Sequence, residues 1–187
     1  ERGDVKSREV VKACALVGVK EEDLYFFGED DAVLLPNENN VRRLAILVRK
    51  LKPDVVLTHF PKEDGAVGNS HADAGQIVML ALALAGAVDP GDRNPPHRVA
   101  QVFYFGQGAA FVRRNVWDAS GGYYNDVFID ISDVAHLKIA CLDTMKSQGY
   151  GGAYARKRIE TSDGAFGTAA NVGYAEGFIR NSATICR

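Results

Sequence analysis

The run Lys52-Pro53-Asp54-Val55-Val56-Leu57-Thr58-His59-Phe60-Pro61 decides how the chain is read. Its middle, Asp54 to Thr58, is continuously apolar after the leading aspartate rather than alternating, the pattern of a strand buried on both faces of a parallel sheet. The residues that follow such a strand lie at its carboxyl end, where open α/β sheets bind their ligands. His59 stands there, and after the polar, Gly- and Pro-containing segment from His59 to Ser70 a long apolar helix is predicted from about His71 to Val88. One loop is therefore bracketed by His59 at a strand end and by Ser70-His71-Ala72-Asp73 at a helix start.

Working outward, Asn37 is the predicted cap of a helix running to Leu51 and ended by Pro53. Its apolar face is Val41, Leu44, Ala45, Leu47 and Val48, with Arg42, Arg43, Arg49 and Lys50 expected in water. Lys6 to Val17 has helical spacing and stops at Gly18, while Asp23 to Phe27 reads as a short strand. Downstream, strands are predicted at Arg98 to Phe105 and Asn125 to Ile131, with Gln107 to Gly122 irregular between them. Ser132 or Asp133 is expected to cap a helix to about Ser147, and a short helix is predicted from Val172 to Arg180. This alternation predicts an α/β fold: a Rossmann-like open, mostly parallel sheet with helices on both faces, in a single domain over residues 1–187. Because the chain opens at Glu1 without an initiator Met and without a strand before its first helix, the first strand and helix of that sheet are expected to lie before Glu1.

Composition removes several function classes. The chain has 187 residues, 47% of them hydrophobic, and its 22 basic and 24 acidic residues are interleaved, so no face concentrates the charge that nucleic acid or a polybasic membrane patch requires. The longest strongly apolar run, Ile77 to Ala87, is far shorter than the ~20 residues that cross a bilayer. Cys14, Cys141 and Cys186 are odd in number and far apart, which gives neither a disulfide framework nor metal-ligand spacing and points to a reducing, cytoplasmic compartment. The partner expected is a small-molecule substrate, with no nucleic acid and no membrane span, and a homo-oligomer is left open.

Neutral imidazole is a common zinc ligand, and catalytic zinc takes three protein ligands plus water. His71 is thus the candidate metal ligand, a helix N-terminus being a rigid mount, and His59 the candidate catalytic group. The alternative for His71 is an incidental first-turn residue behind a Ser70 cap, with Asp73 complementing the helix dipole. For His59 it is a strand-end residue bonded to a neighbouring loop.

The residues also carry a family resemblance. Lys52 to Pro61, followed by His71 and Gly75 at the start of an apolar helix, resembles the second block of the LmbE/PIG-L family, whose best-known members are zinc-dependent de-N-acetylases acting on N-acetylglucosamine conjugates. Three further blocks agree in order: Glu9 to Val19; Val127 to Asp133 with Lys138 and Ser147-Gln148; and Tyr174-Ala175-Glu176-Gly177-Phe178. The resemblance implies a Rossmann-like sheet holding one zinc, or another divalent metal, with His71 as the second histidine of the family's His-x-x-His signature. The other two ligands and the general-base Asp would belong to a His-Pro-Asp-Asp type motif, which these residues do not contain. Gly68 stands where the signature has its first histidine, the residue that helps to stabilise the oxyanion in the deacetylases. Losing such a donor typically costs ~10²–10³ in rate.

Two expectations follow from that departure. Either another group, His59 being nearest in sequence, supplies the donor for hydrolysis of an N-acyl amide, or the chain acts as a hydratase of an unsaturated polycarboxylic acid, like the 4-oxalomesaconate hydratases of the same family. Arg113, Arg114, Arg156 and Arg158 are the candidates for holding carboxylates bidentately. Trp117, Tyr123 and Tyr124 would either stack on a sugar or pack internally. Gly149 to Gly152 follows a helix, which is the wrong setting for a phosphate loop, and Cys141 reads as core. A third expectation, from a different class, is a non-catalytic small-molecule-binding module that keeps the fold without the metal.

Overall fold

The computed structural model describes residues 2–29, 34–62, 70–105 and 125–182. Helices α1 (Arg2–Leu16), α2 (Glu38–Leu51), α3 (Ser70–Ala85), α4 (Ala135–Thr144), α5 (Ala153–Thr161) and α6 (Asp163–Ala170) accompany strands β1 (Val55–His59), β2 (Gln101–Phe105), β3 (Val127–Asp130) and β4 (Ala175–Arg180). The four strands form one open sheet in the order β1-β2-β4-β3. β1 and β2 run parallel, with Val55 opposite Gln101 and His59 opposite Phe105, whereas β2 and β4 are antiparallel. The α/β class is as expected, with a mixed sheet. Among the described residues no helix is long and apolar enough to cross a membrane.

The chain divides into two compact units, Glu1–Gly28 with Phe128–Gly177, and Glu29–Val127 with Phe178–Arg187. In the second, α2 begins as its sequence dictates. The Asn37 side chain accepts from the Asn40 N–H and the Asn40 side chain accepts from the Asn37 N–H, both at 3.0 Å, a reciprocal capping box. Asn37→Ala is expected to cost about 1 kcal/mol of stability, read from urea unfolding. The helix ends at Leu51, with Lys52 in the left-handed region at φ 53 just before Pro53. Ala45 and Val48 of α2 pack on Ala81 and Ala85 of α3, and a second cluster joins Phe60, Tyr104 and Ile179.

Four expectations about this architecture are corrected. Arg49 does not face water: it is fully buried, with its guanidinium on Asp92 and on the carbonyls of Leu84, Ala85 and Ala87. β1 is not buried on both faces: among the described residues it lies at the edge of the sheet, with Thr58 buried while Val55 and Leu57 stand half open to solvent. Asp23 to Phe27 forms no strand; a single 3-10 turn at Glu21–Asp23 precedes an extended stretch in which no ladder partner meets Tyr25 and Phe26, both exposed. Val172 to Arg180 is not a helix, because Asn171 turns the chain at φ 59 and Ala175–Arg180 then enters the sheet as β4.

In the first unit α1 lies along α4. Glu9 of α1 accepts hydrogen bonds from the Ser147 N–H and hydroxyl at 2.9 and 2.6 Å, so its carboxyl is held below its ordinary value chiefly by the hydroxyl. The expected cap at Ser132 or Asp133 is absent, and α4 starts from a 3-10 turn at Ser132–Val134 with no side-chain cap. The Ser132 hydroxyl is committed elsewhere: it donates to Asp130 at 2.6 Å and accepts from the Tyr174 N–H at 3.0 Å, tying β3 to the approach of β4. Two helices that the sequence reading did not separate, α5 and α6, bury Ala155, Ile159 and Asp163. Asp163 and Glu176 share the ammonium of Lys138, and burial is the main force raising the Asp163 carboxyl.

Candidate functional site

His59 closes β1 and His71 opens α3, and the structure brings them face to face. Their rings stack with centroids 4.5 Å apart and planes 12° from parallel. The placement of His59 follows from register: it lies opposite Phe105 on the parallel neighbour, paired residues share a face of the sheet, and the Phe105 ring accordingly sits 4.4 Å from it. His59 is half-buried and His71 exposed. Burial, and secondarily the nearby His71, push the His59 pKa below its ordinary value, which favours the neutral imidazole.

Helix α3 reaches this position because Gly75 has no side chain. A Cβ there would lie 2.4 Å from the carbonyl oxygen of His59 and 3.0 Å from Cα of Pro61, which are backbone atoms that cannot swing aside. At the next position the Gln76 amide donates to the Pro61 carbonyl at 3.0 Å. The start of α3 is thus seated directly on the end of β1, and the imidazole pair is fixed by two backbone segments in contact.

The stack limits what the pair can hold. An imidazole lone pair lies in the ring plane, and zinc sits about 2.0–2.1 Å from the ligating nitrogen. With nearly parallel, superposed rings, an ion in the plane of one is out of the plane of the other, so the pair as arranged offers one ligand to a given ion rather than two. Asp73 has a buried carboxylate oxygen with no hydrogen-bond partner among the described residues. It follows His71 by two positions, however, and residues two apart on a helix do not face one another. Among the described residues no group of three or more His, Cys, Asp or Glu side chains is placed to hold a metal ion. His71 therefore fits one position of a tetrahedral set, and the rest of that set is not among the described residues.

The other residues singled out in the sequence divide as follows. Gly68, Arg113, Arg114, Trp117, Tyr123, Tyr124 and Cys186 lie outside the described residues. Arg156 and Arg158 are on α5, in the unit that does not contain the histidines. Arg156 directs Nη1 to Asp143 at 2.7 Å and to the Gly152 carbonyl at 3.0 Å. Gly149 to Gly152 lines an open cavity of about 370 Å³ together with Asp143 and Lys146. The Gly152 N–H at its rim already donates to Asp143 at 2.7 Å, so this glycine turn holds a carboxylate of the chain itself. The support that Gly75, Gln76 and Phe105 give the histidines depends on contacts between distant segments and has no local sequence signal; only Gly75 enters through the family resemblance.

No family model matches the chain. Over 72 residues, 36% of this chain, it is 35% identical to the 1D-myo-inositol 2-acetamido-2-deoxy-alpha-D-glucopyranoside deacetylase 2 of Catenulispora acidiphila, of which that stretch spans 23%, about a quarter of the relative's length. Three solved structures share the fold. A conserved protein from Thermus thermophilus superposes with a TM-score of 0.76 at 21% identity, over 98% of this chain and 76% of that one. The 4-carboxy-2-hydroxymuconate hydratase of Pseudomonas putida gives 0.74 at 20% identity, over 98% and 74%. The N,N'-diacetylchitobiose deacetylase of Pyrococcus horikoshii gives 0.75 at 18% identity, over 95% and 63%. The chain thus has the fold of these proteins, and part of its sequence is similar to a deacetylase.

Proposed function

We propose that the chain is part of a zinc-dependent hydrolase of the LmbE/PIG-L type that cleaves an N-acyl amide of an N-acetylated sugar conjugate. The observation that carries the reading is the stacked pair His59 and His71 at the carboxyl end of β1, in a chain part of which is 35% identical to a sugar-amide deacetylase. His71, on the rigid first turn of α3, is the residue that would hold zinc. When bound, zinc would lower the pKa of water and polarise the amide carbonyl. One further role falls to a residue of this chain. His59 is half-buried, and its ring N–H can donate to the oxygen on which negative charge develops, the role that the residue at the Gly68 position would otherwise fill. Phe105 beneath it and Gly75 beside it keep that imidazole in one orientation.

One second reading has an observation of its own. Gly68 replaces the polarising histidine, and the fold is shared with a hydratase as well as with a deacetylase, so addition of water to an unsaturated polycarboxylic acid is the competing reaction. The assays separate the two. Intact protein incubated with N-acetylglucosamine conjugates is expected to release acetate, and a conjugated enoate is expected to keep its absorbance; the reverse pattern establishes the hydratase. Full zinc occupancy with no acyl release from any amide tested would end the hydrolase reading. Absence of zinc from protein prepared with zinc present would leave the non-catalytic binding module. His71→Ala is expected to lower zinc affinity at least tenfold in equilibrium dialysis, and unchanged affinity would remove His71 from the ligand set.

A further inference from the structure

Cys14 and Cys141 are 127 positions apart in sequence, yet the packing of α1 on α4 makes them neighbours. The contacts run in antiparallel order: Glu9 meets Thr144 and Ser147, and one turn further along α1 the carbonyl of Ala13 meets the thiol of Cys141 at 3.3 Å. That carbonyl belongs to the peptide joining Ala13 to Cys14, and a planar trans peptide puts the next Cα about 2.8 Å from its oxygen. Cys141 Sγ therefore lies within about 6 Å of the Cys14 Cα. Bridged cysteines have Cα atoms roughly 4.4–6.8 Å apart; because the Cys141 side chain is already directed at the residue beside Cys14, closing a bridge takes a rotamer change and an approach of α1 and α4 into that range. Both thiols are free and half-buried, which corrects the reading of Cys141 as core and leaves both open to a small reagent. Burial, and after it the charge of Cys14, push the Cys141 thiol up.

We propose that Cys14 and Cys141 form a redox-linked dithiol that a low-molecular-weight disulfide, such as oxidised glutathione, converts to an intramolecular bridge stapling α1 to α4. The Cys14 thiolate, having lost its proton to water, attacks one sulfur of the reagent, forming a mixed disulfide and expelling one glutathione thiolate. The Cys141 thiol then loses its proton and attacks Sγ of Cys14, forming the protein disulfide and expelling the second. Two protein thiols are oxidised by two electrons, and one glutathione disulfide is reduced to two thiols. With its thiol raised, Cys141 makes the second step slow at neutral pH and faster as pH rises. The bridge closes a loop long enough to restrict the unfolded chain substantially.

The test uses full-length chain carrying Cys186→Ser, incubated with oxidised glutathione and examined by intact mass, thiol titration and thermal unfolding. The expected result is a product lighter by two hydrogen atoms, with no glutathione retained, both thiols lost and Tm raised by several degrees, all reversed by a dithiol reductant. Cys14→Ser or Cys141→Ser is expected to stop at a mixed disulfide or remain unmodified. Because either variant may disturb the α1–α4 contact, proteolytic mapping of the unsubstituted pair provides a second reading, in which one cross-linked peptide containing both residues is expected. A stable glutathione adduct on the two-cysteine protein, a covalent dimer, or two thiols unreacted while the chain stays folded would each overturn the proposal.

Discussion

On the hydrolase proposed above, Gly75→Ala is expected to reduce acetate release by about a hundredfold, and it is expected to lower stability by about 1–3 kcal/mol, the usual cost of overpacking a close contact. The added methyl would be centred 2.4 Å from the His59 carbonyl oxygen and 3.0 Å from Cα of Pro61. Ordinary contact needs about 3.5 Å or more between such atoms, so the start of α3 must move off the end of β1 by roughly 1 Å. A displacement of that size near reacting groups costs about 10² in rate. His71 travels with α3 and His59 stays with β1, so the stack opens. Two-dimensional NMR of the imidazole protons reads this directly, as loss of the cross-peak between the rings. Gly86→Ala is the matched control at the other end of the same region, because the nearest atom to its Cβ is Cγ of the flexible Arg98 side chain, at 3.3 Å. Native activity and an intact cross-peak in Gly75→Ala would show that α3 is not seated by this contact.

The contrast between Asp54-Val-Val-Leu-Thr58 and Ala175-Glu-Gly-Phe-Ile-Arg180 explains how much of the fold was legible. The first was found as a strand because its β-branched run has one reading, although its edge position, which exposes Val55 and Leu57, depends on sheet order, a property of distant pairings. The second contains Ala, Glu and Gly, all poor strand formers, and becomes β4 because Ile179 and Arg180 find partners on Tyr104 and Phe103. The cap of α2 was local and was read correctly. At the candidate site, the two histidines were legible because a strand end and a helix start are both local signals. Their parallel stacking was not, since it depends on the β1–β2 register that sets Phe105 under His59 and on a backbone contact at Gly75. Arg49 was misplaced for the same reason. Helical periodicity puts it at the margin of the apolar face, and only the loop after α3 supplies the carbonyls and carboxylates that draw it inside.

Arg49→Ala is expected to be the most destabilising single substitution among those considered, lowering the unfolding free energy by about 3–5 kcal/mol, the range for removing one partner of a buried charge network. The guanidinium is wholly shielded from solvent. It donates to the carbonyls of Leu84, Ala85 and Ala87, which end α3, and to Asp92 at 2.9 Å, with Asp89 at 3.6 Å. Without it, those carbonyls and the two carboxylates lose their common donor. Arg49→Met tests which term dominates. It restores most of the lost volume without the charge, so a loss as large as that of Arg49→Ala assigns the cost to unsatisfied polar groups, and a much smaller one assigns it to the cavity. The pH dependence has a definite sign. Asp92 is held below its ordinary value of 3.8 first by the Asn94 N–H and then by Arg49, and Asp89 first by the Gly91 N–H, with Arg42 and Arg49 adding to it. A carboxyl whose pKa is lower folded than unfolded contributes stability that is complete above its unfolded pKa and disappears as pH falls through its folded pKa. Urea unfolding of the native chain should therefore weaken as pH drops below about 3.8. In Arg49→Met that acid-side slope should become shallower while some of it remains, because the Asn94 and Gly91 N–H groups still hold the carboxylates. An unchanged slope would show that Arg49 does not set the ionisation of this loop.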